Sequence, residues 1–145
     1  MNEDFLVYAR KAVKALNDAS IVSLVSHWNC RGKDFYETHL LFERIYGSLS
    51  ELMDGLVERL RACGYDPDFE ELSGPGISMV YFDAQSLIEL NTDYVMALSS
   101  MLTVFFNYAS TAKDDPRMTG LADLLQSMAS EVLQVQYLLL AAAGH

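Results

Sequence analysis

Five of the His, Asp and Glu side chains between residues 27 and 58 have both the types and the spacings that could bind a divalent first-row transition metal. They are two imidazoles and three carboxylates: His27, His39, Glu43, Asp54 and Glu58. His39 and Glu43 stand four residues apart, and so do Asp54 and Glu58. A cation of borderline softness accepts imidazole nitrogen and carboxylate oxygen in the same site. The set therefore suggests a metal site, whose geometry depends on the secondary structure that carries it.

A long apolar-periodic segment, residues 35–63, is predicted to form one helix of about 28 residues that carries four of the five. Each residue of a helix advances by about 100° and 1.5 Å. With His39 at zero, Glu43 lies at about 40°. Asp54 then lies at about 60° and Glu58 at about 100°, so the four share one face. The rise between Glu43 and Asp54 is about 16 Å, which is too long for both pairs to hold one ion within a single chain.

The two pairs can meet if this helix packs against an antiparallel copy of itself about a two-fold axis. The histidine-containing pair of one chain would then face the carboxylate pair of the other. Residues 48 and 49 would mark the axis, and Gly47 beside them offers room for close backbone approach. The spacing therefore predicts a metal site between two subunits.

Each pair taken alone also has an ordinary explanation. A His–Glu pair four residues apart is most often a surface contact worth a few tenths of a kcal/mol. Asp54 and Glu58 alone would be two like charges on a solvated helix face. Only the common face, together with the position of His27, favours a metal site over these explanations.

The same region resembles the signature of Dps mini-ferritins. The resemblance rests on His27-Trp28-Asn29-Cys30-Arg31-Gly32, then on Phe35, His39, Phe42, Tyr46 and Asp54-Gly55-Leu56-Val57-Glu58-Arg59. It includes the order and every spacing of the five candidate ligands. It implies an all-α, ferritin-like four-helix bundle that assembles into a hollow dodecameric cage, with a di-iron ferroxidase centre at a dimer interface.

The resemblance also assigns the candidate ligands to two subunits. Asp54 and Glu58 of one subunit would form a carboxylate clamp, and His27 and His39 would come from the other. Glu43 would complete the second iron position. The family usually has Asp there, so the longer side chain leaves open whether one or two irons bind per site.

Two further groups of residues take roles from the resemblance. Trp28 would pack near the metals and intercept radicals, or else serve as a core aromatic at a helix end. Asp114, Asp115 and Asp123 lie in the segment that resembles the lining of the family's acidic three-fold iron pores, where rings of carboxylates concentrate cations. Asp115 could equally cap the fourth helix.

Apolar residues at steps of three and four predict four helices in all. These cover residues 4–28, 35–63, 81–110 and 117–142. Asp34 and Glu37 form a predicted capping box for the second helix, and Gly64 a predicted left-handed cap at its end. The irregular stretch 65–79 leaves room for a short extra helix. Four long helices in 145 residues suit a single ferritin-like domain over residues 1–145.

The net charge of −10 is unevenly distributed along the chain. Residues 1–61 carry 9 acidic and 8 basic side chains, whereas residues 62–145 carry 11 and 2. This asymmetry argues against a broad nucleic-acid surface and for the attraction of cations, although it can also serve solubility alone. Arg10, Lys11 and Lys14 are the basic residues of the N-terminal segment and lie inside a predicted helix, so we expect weak or no DNA binding.

The remaining composition favours a cytoplasmic protein. Cys30 and Cys63 do not make a disulfide framework, and two isolated thiols fit a reducing compartment. The first residues, Met1-Asn2-Glu3-Asp4, are acidic where a signal peptide is basic, and no apolar run approaches the length of a membrane span.

Together these patterns and the resemblance predict an iron-storage and detoxification protein with ferroxidase activity. The resemblance implies hydrogen peroxide as the favoured oxidant, but the sequence does not decide between peroxide and dioxygen. Two alternatives stay open: a DNA-compacting protein of the Dps type, and a cage with weak or no ferroxidase activity.

Overall fold

Four long helices make up most of the computed structural model, which describes residues 3–68, 71–75, 83–112 and 114–144. They are α1 (Glu3–Asn29), α2 (Phe35–Ala62), α3 (Ala84–Thr111) and α4 (Pro116–Ala142). The described ranges contain no strand, and none of their helices is both long and apolar enough to cross a membrane. The predicted all-α four-helix architecture is confirmed. Residues 81–82 of the predicted third helix lie outside the described ranges.

The helices bury their apolar faces in one shared core. α1 packs against α2 and α3, and α3 packs against α4, whereas α2 has a smaller contact with α4. On α2 the fully buried side chains recur at steps of one or two helical turns, that is of three, four or seven residues: Phe42, Ile45, Leu49, Leu56 and Leu60. A stripe with this period turns one face of a helix towards the core. The opposite face of α2 stays open to solvent.

The start of α2 differs from the predicted capping box. Asp34 has a φ of 62°, in the left-handed region, and its side chain makes no capping hydrogen bond. A capping box needs an N-cap residue with extended backbone, so the box between Asp34 and Glu37 is wrong. Instead, the Asp34 carbonyl oxygen accepts from the Thr38 backbone N–H at 3.0 Å and from the Thr38 hydroxyl at 2.7 Å.

Gly64 ends α2 in the predicted left-handed conformation, with a φ of 94°. Its N–H donates to the carbonyl of Arg61 at 3.0 Å, and the next N–H, of Tyr65, donates to the carbonyl of Leu60 at 2.9 Å. This pair of bonds is a Schellman motif, whose left-handed residue is cheapest as glycine. The prediction of a left-handed cap is therefore confirmed.

Polar contacts hold the connection after α2 against α1. The buried Tyr65 hydroxyl donates to the carboxylate of Glu71, and Arg10 Nε lies 3.4 Å from the other oxygen of that carboxylate. Asn17 Nδ2 donates to the Ser73 carbonyl at 2.8 Å. Burial, followed by the hydrogen bond to the Glu71 carboxylate, raises the pKa of Tyr65, so its hydroxyl stays protonated and available as a donor.

The described part of this connection is not helical. Residues 65–68 and 71–75 form turns and irregular backbone. The remainder of the stretch in which a short extra helix is possible, residues 69–70 and 76–79, lies outside the described ranges. That helix stays a prediction.

Candidate metal site

His27, near the end of α1, and His39, in the second turn of α2, lie against each other. Their ring centroids are 3.9 Å apart and their planes differ by 23°. His27 Nδ1 lies 3.0 Å from the His39 carbonyl oxygen, and His39 Nδ1 lies 2.9 Å from the His27 carbonyl oxygen. A carbonyl oxygen only accepts, so each Nδ1 carries the proton and donates it. In the neutral rings, both Nε2 atoms then keep the lone pair that a metal ligand needs.

A short turn between α1 and α2 brings the two histidines together. Two residues in this turn have left-handed backbone, Gly32 with a φ of 88° and Asp34 with a φ of 62°. The N–H of Cys30 still donates to the carbonyl of Ser26 at 3.0 Å, so the last turn of α1 is complete before the chain reverses. The reversal therefore lays the end of α1 beside the first turns of α2.

Cys30 lies on the buried side of the turn between α1 and α2 and contacts His27. Its side chain is buried, and its thiol donates to the His27 carbonyl oxygen at 3.8 Å. Burial raises the pKa of Cys30, which keeps the thiol protonated at neutral pH. Cys63 is also buried, and both cysteines are free.

Phe35 adds a third ring to this group. It is the first residue of α2, one turn before His39, and its ring centroid lies 5.2 Å from that of His39 with the planes 28° apart. Its side chain remains 44% exposed. In the sequence, Phe35 stands out only as part of the signature. The spacing of four residues from His39 is the signal from which a contact could have been predicted.

The three carboxylates lie on the open face of α2. Glu43, Asp54 and Glu58 are all exposed. They make no hydrogen bond or ion pair with any residue in the described part of the chain. A Cβ added at Gly47 would meet no described heavy atom within 4 Å, so the face is also open where the two-fold axis is predicted.

The structure thus brings the two histidines together but not with the carboxylate pair. Across the described ranges, no three His, Cys, Asp or Glu side chains of one chain are placed to hold a metal ion. This separation is expected because Glu43 and Asp54 differ in height along α2 by about 16 Å. The five-ligand set, which needs a second copy of the chain, stays a prediction.

Trp28 lies next to the histidine pair in sequence and is 66% exposed. The alternative that it is a core aromatic at the end of α1 is therefore wrong for the single chain. Indole rings are enriched at interfaces, so this exposure fits a surface that another molecule covers. Its predicted place near the metals stays a prediction.

The predicted pore residues differ in their surroundings. Asp115 is the N-cap of α4, where its carboxylate accepts from the Arg117 backbone N–H at 3.0 Å and from Arg117 Nη2 at 2.8 Å. Hydrogen bonds from the Arg117 side chain and backbone hold the pKa of Asp115 below its usual range. Asp114 and Asp123 are exposed. The capping alternative for Asp115 is confirmed, and a pore role for the three carboxylates stays a prediction.

Comparison with known proteins adds an independent observation. A family model described as the ferritin-like domain matches residues 9–140. A mutant of Dps from Listeria innocua superposes with a TM-score of 0.86 at 18% identity, over 100% of this chain and 97% of that chain. Dps from Vibrio cholerae, described as a member of a broad superfamily of ferritin-like diiron-carboxylate proteins, gives a TM-score of 0.84 at 21% identity, over 96% and 88% of the two chains.

A shorter match involves a protein with a named role. The DNA protection during starvation protein of Helicobacter pylori is 39% identical over 41 residues, which is 28% of each chain. Together with the structural matches, this bears out the resemblance to Dps proteins and the ferritin-like bundle that it implies.

Proposed function

This chain belongs to the ferritin-like family, and on that premise we propose that it is a mini-ferritin of the Dps type that oxidises Fe(II) and stores the ferric product. The observation that carries the proposal is the histidine pair. Its two Nδ1 atoms are held by main-chain carbonyl oxygens, which leaves both Nε2 atoms available to a cation. Iron is the substrate and the cargo in this proposal.

The open face of α2 supports a site shared by two copies. Asp54 and Glu58 of one copy would coordinate an iron ion, and His27 of the other copy would coordinate the same ion. His39 and Glu43 would hold the second ion. All three carboxylates are exposed and have no partner among the described residues, so binding a cation would not require breaking an existing ion pair.

The stacking of the imidazoles supports two separate ions. A ligand lone pair lies in its ring plane, and the planes of His27 and His39 differ by 23° with centroids 3.9 Å apart. Two stacked rings direct their lone pairs along separate planes, which favours a separate ion for each imidazole.

Two adjacent irons match the electron balance of peroxide reduction. Each Fe(II) gives up one electron, and hydrogen peroxide takes two electrons and two protons to become two water molecules. A single iron supplies one electron, which leaves hydroxide and a hydroxyl radical. A paired site therefore oxidises iron without releasing the radical, and this chemistry makes hydrogen peroxide the proposed oxidant, with dioxygen as the alternative.

Storage is the second half of the proposal. We infer a hollow homo-oligomeric cage, a dodecamer by resemblance to Dps proteins, built from two-fold dimers. The excess of 11 acidic over 2 basic residues in positions 62–145 supports the attraction of Fe(II) to such a cage. A cytoplasmic location belongs to the same proposal.

The DNA-protecting role named for the Helicobacter pylori relative has less support in this chain. Arg10 Nε lies 3.4 Å from Glu71, and Lys14 Nζ lies 2.8 Å from Asp18. These ion pairs reduce the positive charge that α1 can offer to phosphates. Salt-dependent gel retardation with duplex DNA distinguishes the two functions.

The test is anaerobic loading of the purified protein with Fe(II), followed by hydrogen peroxide, with ferric absorbance and trapped hydroxyl radical recorded together. We expect fast oxidation at about two irons per peroxide and few trapped radicals, because electrons leave in pairs. An Asp54→Ala/Glu58→Ala variant should lose both properties, and Glu131→Ala, which removes an exposed carboxylate from α4, should keep them. Oxidation no faster than in protein-free buffer would overturn the proposal.

A further inference from the structure

We propose that Phe35 is a positioning residue for the metal site, acting through the imidazole of His39. This inference rests on the proposed function, because it concerns how one of the candidate ligands is held ready for its ion. Three aromatic rings follow one another at this corner. Phe35 stacks on His39 at 5.2 Å, and His39 stacks on His27 at 3.9 Å.

The exposure of Phe35 argues against a purely core role. With 44% of the side chain exposed, the ring buries less apolar surface than the core phenylalanines, which are fully buried. The ring contact recorded for it is with a candidate ligand one helical turn away. In the single chain its ring contact therefore falls on the imidazole of His39.

The torsion angle χ2 of a histidine side chain needs a neighbouring group to hold the ring plane in place. Rotation about the bond between Cβ and the ring has broad, roughly two-fold minima, so it fixes the ring plane poorly. The hydrogen bond from His39 Nδ1 to the His27 carbonyl selects one of the two ring orientations. The phenyl ring of Phe35 lies against the imidazole in that orientation, with the two planes 28° apart, so rotation of the imidazole would give up this stacked contact.

Loss of this restraint should affect binding more than chemistry. Without Phe35, His39 must be ordered when the ion binds, and ordering one side chain weakens affinity by about 3- to 10-fold. The oxidation step of a loaded site depends on the ions and the oxidant, so it should change little. We therefore expect a higher half-saturating metal concentration at an unchanged maximal rate per loaded site.

The experiment titrates the assembled protein with Co(II) alone, following its visible absorption, and then measures Fe(II) oxidation at varied iron concentration. Phe35→Ala and Phe35→Leu should both weaken Co(II) binding by about 3- to 10-fold, since neither supplies a flat ring. Phe35→Tyr should restore wild-type binding. Tyr137→Ala, which removes an exposed aromatic from α4, is the matched control, and light scattering checks that each variant assembles as the wild type does.

Three outcomes would overturn the inference. Wild-type Co(II) affinity in Phe35→Ala would show that His39 needs no such support. Wild-type affinity in Phe35→Leu would show that apolar contact without a ring suffices, and this variant decides the matter should Phe35→Ala fail to assemble. If the wild-type protein itself neither bound Co(II) nor oxidised Fe(II) faster than protein-free buffer, the proposed function would fall, and the role of Phe35 with it.

Discussion

Mixing two defective variants should restore activity if the metal site is shared between copies of the chain. One variant, His27→Gln/His39→Gln, lacks both imidazoles, and the other, Asp54→Asn/Glu58→Gln, lacks the carboxylate clamp. In the single chain the histidines and this clamp are not brought together. Each variant alone should therefore be inactive, whereas a mixed dimer combines the intact histidines of one chain with the intact clamp of the other.

The expected recovery follows from two-fold symmetry. When equal amounts of the two variants pair at random, about half of the dimers are mixed. Each mixed dimer contains two sites, of which one has every ligand and the other lacks both histidines and both carboxylates of the clamp. About one quarter of the wild-type ferroxidase activity should therefore return.

The assay unfolds the two variants together, refolds them, and measures initial rates of Fe(II) oxidation by peroxide at a fixed protein concentration. The same variants mixed after separate assembly serve as the control and should remain inactive. No recovery after joint refolding, with mixed cages demonstrated by differently tagged chains, would refute a site that spans two subunits. Full activity in either variant alone would refute the ligand assignment.

Three further predictions concern stability, each measured by urea unfolding at a fixed protein concentration. Leu56→Ala at a fully buried position of α2 should lower the free energy of unfolding by about 2–5 kcal/mol, because it leaves a cavity. Tyr65→Phe should lower it by about 1.5–3 kcal/mol, because Glu71 loses a buried hydrogen bond to its charge. Asp115→Asn keeps a capping oxygen but removes the charge that Arg117 stabilises. Because the folded pKa of Asp115 is lowered, the advantage of the wild type should be present above about pH 4 and disappear as the pH falls through the lower folded value.

Each of these changes has a matched control at a solvent-exposed helix position or at a neighbouring residue. Leu133→Ala and Tyr137→Phe on α4 should change stability little, because both side chains are largely exposed. Asp114→Asn removes the same charge one residue before the cap. If it gave the same pH dependence as Asp115→Asn, net charge rather than the hydrogen-bonded cap would be the cause.

The open face of α2 is the part of the site that the sequence predicted well. Helical periodicity relates every position on one helix, so the apolar residues that reach the core also determine which residues point away from it. Glu43, Asp54 and Glu58 are exposed for this reason. No tertiary information was needed beyond the assumption that the stripe faces a core.

The start of α2 shows where local pattern fails. An acidic residue followed three positions later by Glu fits a capping box, but the pattern does not specify backbone torsions. Asp34 lies in a tight turn with left-handed backbone, which is set by the reversal between α1 and α2. Its side chain is consequently not placed to accept from the N–H groups of the first turn.

The mutual hydrogen bonds of the histidines also could not be predicted from the sequence. They join residues of two helices, and their existence depends on how closely α1 and α2 approach at the turn. The contacts of Glu71 with Tyr65 and Arg10 have the same origin. Residue types suggested which side chains could bind a metal, but only the packed structure gives the tautomers in which they are held.

The acceptors of those two hydrogen bonds have a consequence for how the site tolerates mutation. Each imidazole is held by a main-chain carbonyl, and every amino acid placed at the partner position supplies the same oxygen. His27 would keep its acceptor if His39 were replaced, and the reverse also holds. When one histidine is replaced, the other thus keeps the hydrogen bond that selects its tautomer, so a chain of this fold could lose one ion position by mutation and retain a metal-binding Nε2 at the second.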